Sequence, residues 1–261
     1  MRSIKQLIPG ILVMKSKRKK ENRRAKKFEA RREKYESNSW DRSDDVSRLK
    51  YADYDAYLSH QASKLDGILD RLQERGSRDR AHFVERFRSC SALGEARVVL
   101  CVGARIGSEV AAFLSLGYFA VGIDLNPGPD NPYVLHGDFH QVVFPDNSVD
   151  LIYSNALDHT FDLDKLVSEV RRLLRPGGIF LVDLVNGTEE GFYPGGYESM
   201  IWANAEDFAK KIADIAGFTI ESSRDDLPEM GGNQFVQAVL RKPVTHNSNS
   251  TPGGMTSGVG T

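Results

Sequence analysis

The sequence predicts an α/β protein built on a doubly wound parallel sheet, and three observations carry that expectation. Val98-Val99-Leu100-Cys101-Val102 runs through Gly103-Ala104-Arg105-Ile106-Gly107 into Ser108-Glu109, which reads as a buried strand, a glycine turn and a helix start. Asp124 closes a second apolar run 21 residues after Gly103. From Arg97 onward, short apolar runs alternate with helical patterns, the texture of strands covered by helices on both faces.

Element by element, the first 50 residues read as a basic extension, charged helix or disorder. Ile4, Leu7, Ile8, Ile11 and Leu12 form a short apolar patch interrupted by Pro9-Gly10; Lys15 to Arg32 is a basic block, and Ser37 to Ser47 is polar. Residues 51–92 read as a helical cap: Tyr54, Tyr57, Leu58, Leu65, Ile68, Leu69 and Leu72 recur near helical period, and Ala81 to Phe87 is a second amphipathic piece. Residues 93–242 hold the sheet domain. Its strands are expected at Val98 to Val102, Phe119 to Ile123, Tyr133 to His136, Val149 to Ser154, Ile179 to Asp183, Phe218 to Ser222 and Gln234 to Leu240. Its helices are expected at Ser108 to Leu116 with Ser108 as N-cap, Asp164 to Leu174 ending at Arg175-Pro176-Gly177-Gly178, and Ala205 to Ala216. Residues 243–261 read as a disordered tail.

Lys and Arg total 35 against 36 Asp and Glu, but 14 of the basic residues fall before position 35 against three Glu, so the basic character is local. The apolar patch is far shorter than the ~20 residues a membrane span requires, and the lysines that follow it do not form a secretory cleavage site. Cys90 and Cys101 make no disulfide framework, which points to a reducing, cytoplasmic compartment. The basic segment reads first as a solvated helix, next as a peripheral anchor at the inner membrane surface, and last as a nucleic-acid contact.

A glycine turn followed by a carboxylate at the next strand end suits a nucleoside-containing ligand. Arg105 stands where a dinucleotide fold prefers its middle glycine, which argues against a close pyrophosphate and for S-adenosyl-L-methionine, whose carboxylate could meet Arg105 or the helix N-terminus. Three later segments complete an ordered set: Gly137-Asp138-Phe139, Phe144-Pro145-Asp146-Asn147-Ser148-Val149-Asp150, and Leu174-Arg175-Pro176-Gly177-Gly178. With these, the chain resembles the class I S-adenosylmethionine-dependent methyltransferases, especially the type 11 small-molecule group, strongly over residues 96–185.

The resemblance implies a Rossmann-like, seven-stranded sheet in the order 3-2-1-4-5-7-6 with the last strand antiparallel. It implies that Gly103, Ala104, Arg105 and Gly107 turn against the methionine part of the cofactor and that Asp124 binds the ribose. Leu125 would pack on adenine, Asp138 and Phe139 would recognise its edge, and Ser154 and Asn155 would line the cleft near the methyl group. Cys101 and Arg105 depart from the family's usual acid and second glycine.

Methyl transfer is an in-line displacement, so alignment supplies much of the acceleration and no unique catalytic residue is demanded. Asp158 and His159 are the candidate bases for a hydroxyl acceptor; a capping or packing role is the equal alternative for His159 and an N-cap for Asp158. Glu109 has the ordinary explanation of an acid in a first helical turn. The histidines show no paired ligand spacing, so no metal is expected. Ser154-Asn155-Ala156-Leu157 lacks the Pro-Pro-aromatic pattern of base-amino methyltransferases, which disfavours that chemistry. Phe192, Tyr193, Tyr197 and Trp202 read either as an aromatic lid or as a packed loop.

The leading expectation is methyl transfer to oxygen of a small molecule or glycan. The Gly-Ala-Arg-x-Gly turn and Asn155 to His159 resemble methyltransferases of polysaccharide or other secondary pathways. The alternatives are a cofactor-binding scaffold that has lost catalysis, and an RNA-directed methyltransferase using the basic arm, whose affinity for RNA would fall steeply with salt.

Overall fold

The computed structural model describes residues 8–244, so the tail expected from Thr245 to Thr261, and Ile4 and Leu7, lie outside the described residues. The chain begins with α1 (Ile8–Glu36), β1 (Trp40–Asp41), β2 (Val46–Leu49), α2 (Tyr54–Ala62) and α3 (Leu69–Arg88). It continues through β3 (Val98–Val102), α4 (Ser108–Ser115), β4 (Phe119–Asp124), β5 (Val134–His136), β6 (Val149–Ser154), α5 (Leu163–Leu173) and β7 (Leu174–Val185). It ends with β8 (Met200–Trp202), α6 (Ala205–Ala216), β9 (Thr219–Arg224) and β10 (Phe235–Arg241).

The main sheet runs β5-β4-β3-β6-β7-β10-β9. Numbered along the chain, its seven strands lie in the expected order 3-2-1-4-5-7-6. The seventh, β10, is antiparallel to both of its neighbours. Val99, Leu100, Leu151, Ile152, Phe180 and Leu181 are buried because helices cover both faces. Strand order reverses between β3 and β6, and in such sheets ligands bind at the carboxyl ends flanking that switch point.

α3 is fastened across the sheet by one buried polar network. Arg86 Nη1 donates to Asp183 Oδ2 at 2.8 Å, and the same carboxylate accepts from Tyr153 Oη and Gln237 Nε2, each at 2.8 Å. Phe87 stacks on Phe113 of α4 with ring centroids 3.8 Å apart. The cap is thereby fixed to the domain that carries the glycine turn.

Four local expectations need correcting. The polar stretch around Ser37 to Ser47 is not a loose appendage: β1 and β2 join β8 in a second, three-stranded antiparallel sheet, with Trp40 and Val46 buried. Pairing with residues some 150 positions away has no local signal. The cap breaks at residues 63–68 and then continues as one 20-residue helix to Arg88, whose second half buries Phe83, Arg86 and Phe87, while Arg75 and Asp79 pair at 3.1 Å, one turn apart. Gly107, not Ser108, caps α4, since the turn needs φ of +77° there. Leu174 to Gly178 is already strand: Leu174 pairs with Val149, and Gly177 and Gly178 extend the ladder by bonding Lys242.

Candidate functional site

The turn after β3 is held by its neighbour strand. The N–H groups of Gly103 and Ala104 both donate to Ile123 O, at 2.9 and 3.1 Å. Gly103 has φ of +74°, and a Cβ there would lie 2.7 Å from Ala156 Cβ, so the segment just after β6 approaches where only glycine fits. Arg105, also left-handed at φ of +44°, donates its N–H to Asp124 Oδ2 at 2.9 Å, while Asn126 N donates to Oδ1 at 2.8 Å.

Two adjoining cavities open around this turn. The first is floored by Gly103, Asp124, Leu125 and Phe139 and roofed by Tyr57, Gln61 and Leu65 from the cap. The second, about 260 Å³, extends past Ala104, Asn155 and Asp158 towards Glu198, Met230 and Phe235, with Arg75 and Asp79 of α3 along one side. Lys64, Gly103, Arg105, Ala156 and His159 line both, and so mark the junction.

The roof is tied down by hydrogen bonds. Asp53 caps α2 by accepting from Ala56 N. Tyr57 Oη donates to His159 O at 3.0 Å, Gln61 Nε2 donates to Tyr197 O and Ser199 Oγ at 2.8 Å each, and Asn126 Nδ2 donates to Ala62 O at 2.8 Å.

Charge is concentrated at the junction. Lys64 Nζ donates to His159 Nε2 at 2.5 Å, and His159 Nδ1–H donates to Tyr197 O at 2.8 Å, which sets the tautomer. Burial, with Lys64 and Arg105 nearby, holds His159 well below the usual imidazole range. Burial and then Arg105 bring the Lys64 ammonium down to about 8, against the pull of Asp158, Glu198 and Asp124. Burial and then Glu198 push the Asp158 carboxyl up to about 7, opposed by Lys64. Burial pushes Glu109 up to about 8, so it is an enclosed acid rather than an ordinary solvated one in a first turn.

Of the residues expected to hold a cofactor, Gly103, Arg105, Asp124, Leu125 and Phe139 meet in the first cavity, and Ala104 and Asn155 line the second. Asp158 and His159 also lie together on the second, with Asp158 Oδ1 3.8 Å from His159 Nε2. Asp158 does not cap α5; Asp162 does. Gly107 lines neither cavity and serves the turn by capping α4. Asp138 also lines neither: its carboxylate accepts from Tyr54 Oη, His140 N and His140 Nδ1. Burial works against its ionisation, yet those hydrogen bonds prevail and hold it at about 2.

The four aromatics do not form one lid. Phe28 of α1 packs edge-on to Tyr193, Tyr197 stacks on His60, and Trp202 is a core residue stacked on Phe208 at 4.1 Å. Lys64, Gln61 and Glu198 were not singled out by the sequence, and Tyr57 was expected only as part of the cap's helical period. In an amphipathic cap pattern, a lysine reads as the solvated face.

Residues 100–182 match the family model described as a methyltransferase domain. Sterol 24-C-methyltransferase ERG6B of Gibberella zeae is 34% identical over 93 residues, which are 35% of this chain and 24% of that protein, so the chain spans about a quarter of that relative's length. An uncharacterized methyltransferase of Synechocystis is 28% identical over 190 residues, 65% of this chain and 87% of that protein. Among solved structures, the 1,6-didemethyltoxoflavin-N1-methyltransferase of Burkholderia thailandensis, with bound 1,6-didemethyltoxoflavin and S-adenosylhomocysteine, superposes with a TM-score of 0.59 at 17% identity, covering 78% of this chain and 99% of that one.

Proposed function

Residues 100–182 form a methyltransferase domain of the kind the sequence resembles, and from that premise we propose that the protein transfers a methyl group from S-adenosyl-L-methionine to a small molecule or saccharide, on oxygen. The observation that carries this reading is the junction itself, where five residues are shared by the cavity against Asp124, Leu125 and Phe139 and by the cleft that runs past Asn155 and Asp158.

The residues present fit the cofactor. Gly103 lines the cavity with bare backbone, and Leu125 and Phe139 offer apolar walls for a base. Each Asp124 oxygen has one backbone donor, and a carboxylate has about four acceptor sites, so room remains for two ribose hydroxyls. Arg105 and Asn155 would meet the amino-acid portion. When bound, the cofactor supplies an electrophilic methyl group on a sulfonium.

The chain's own contribution is alignment, exclusion of water by the α2 roof, and removal of the acceptor's proton with Asp158 or His159 assisting. An oxygen acceptor is favoured because the cleft wall holds groups able to take a hydroxyl proton. Calorimetry with S-adenosyl-L-methionine tests the first half: wild type should bind it, and the absence of binding would end the reading. His159→Ala tests the second, and should slow turnover while leaving cofactor affinity nearly intact.

No helix among the described residues is long and apolar enough to cross a membrane. The side chains from Glu21 to Ala30 on basic α1 are exposed, which supports a peripheral contact with an anionic inner-membrane surface and hence a cytoplasmic location. Co-sedimentation with phosphatidylserine vesicles should be lost at high salt and on deleting residues 1–34; salt-independent binding would refute the contact.

A further inference from the structure

Resting on that functional reading, we propose that Lys64 distinguishes the charged methyl donor from its neutral product: its ammonium gives up a proton when the sulfonium form binds, and the resulting amine takes the acceptor's proton as the methyl group leaves. Lys64 is placed for this by lining both cavities and donating to His159 Nε2 at 2.5 Å. Burial, with Lys64 and Arg105 beside it, keeps the His159 imidazole neutral, so its Nε2 accepts from Lys64 rather than taking the charge over.

The groups facing Lys64 come from every wall. Arg105 in the turn repels it; Asp124 at the end of β4, Asp158 after β6 and Glu198 before β8 attract it. His60 of α2 lies in the same electrostatic field, and the Tyr197 ring sits 5.7 Å from Nζ. Burial, with one cation, Arg105, beside it, already brings the ammonium to about 8 against the pull of those carboxylates. A second cation at roughly 6 Å in an effective dielectric of about 20 would favour proton loss about a hundredfold more, and a bound sulfonium would act as such a cation. The amine state then prevails at neutral pH.

The step balances. The acceptor's O–H bond breaks with its proton going to Lys64 Nζ, its oxygen lone pair forms the bond to the methyl carbon, and the carbon–sulfur pair stays on sulfur. Positive charge lost at sulfur reappears on Lys64, so the junction carries the same net charge before and after. A buried site avoids reorganising around a new charge in this way.

The test is calorimetry at pH 7 on the full chain, in two buffers of different ionisation enthalpy, with S-adenosyl-L-methionine and S-adenosylhomocysteine as probes. The donor should release roughly 0.8 proton more than the product, and its affinity should rise by up to about tenfold per pH unit between pH 6 and 8. In Lys64→Met the difference should vanish, which also subtracts protons from the ligands' own amino groups; in Asp158→Asn it should remain. Equal proton release by the two probes in wild type overturns the proposal without any variant. A difference that survives Lys64→Met, or disappears only in Asp158→Asn, also overturns it. Failure of either probe to bind at all defeats the functional reading, and this inference with it.

Discussion

The backbone N–H of Arg105 donates to Oδ2 of Asp124 at 2.9 Å, so the carboxylate at the end of β4 also holds the glycine turn in shape. Asp124→Ala removes the acceptor for Arg105 and for Asn126 together. Affinity for S-adenosyl-L-methionine should fall at least ~10-fold and stability by about 1–3 kcal/mol. Asp124→Asn retains one amide oxygen for the turn, so its stability loss should be smaller. Calorimetry and urea denaturation read the two effects, and undiminished binding by the alanine variant would remove Asp124 from the cofactor site.

Gly103→Ala places a Cβ 2.7 Å from Ala156 Cβ at φ of +74°. It should lose about 1–3 kcal/mol in urea denaturation and bind the cofactor weakly. Adding Ala156→Gly relieves the contact but not the backbone strain, so the double variant should recover only in part. Full recovery would mean that the positive φ costs nothing.

Asp183→Ala strands the Arg86 guanidinium, which is buried against the sheet. Breaking such a pair costs about 3–5 kcal/mol, enough to lower the midpoint of chemical denaturation clearly. Arg86→Met should cost less, because Asp183 keeps its bonds from Tyr153 and Gln237. The reverse ranking would show that the guanidinium's bond to Pro228 O matters more than the pair.

Glu109, pushed up to about 8 by burial, holds its proton in the folded state where the unfolded chain has lost it. Between about pH 4.5 and 8 the native state therefore binds more protons, and this group's contribution makes stability fall as pH rises, levelling above 8. Glu109→Gln should be more stable than wild type at pH 8, by about 2 kcal/mol or more, and nearly equal to it at pH 5. Parallel stability curves for the two proteins would refute the enclosed acid.

Much of the sheet and of the turn was legible because the information is local. A five-residue apolar run with flanking glycines says strand and turn whatever else the chain does, and the spacing from Gly103 to Asp124 is one crossover of the fold. The cap was only half legible. Its helical period is visible, but where it breaks depends on Leu65 meeting Gly128 and Ala62 O meeting Asn126 across the site.

By itself, the sequence determined the sheet order through its family motifs, the cofactor class, and the glycine turn with its carboxylate. Only the tertiary structure decided that Lys64 reaches His159, that Asp138 turns to Tyr54 and His140 rather than into the pocket, that Glu109 is enclosed, and that residues 40–49 pair with residues 200–202. The physical reason is range. Propensity, turn geometry and hydrophobic period act between neighbours along the chain, whereas burial and charge depend on which distant segments meet, and those set the protonation states at the junction.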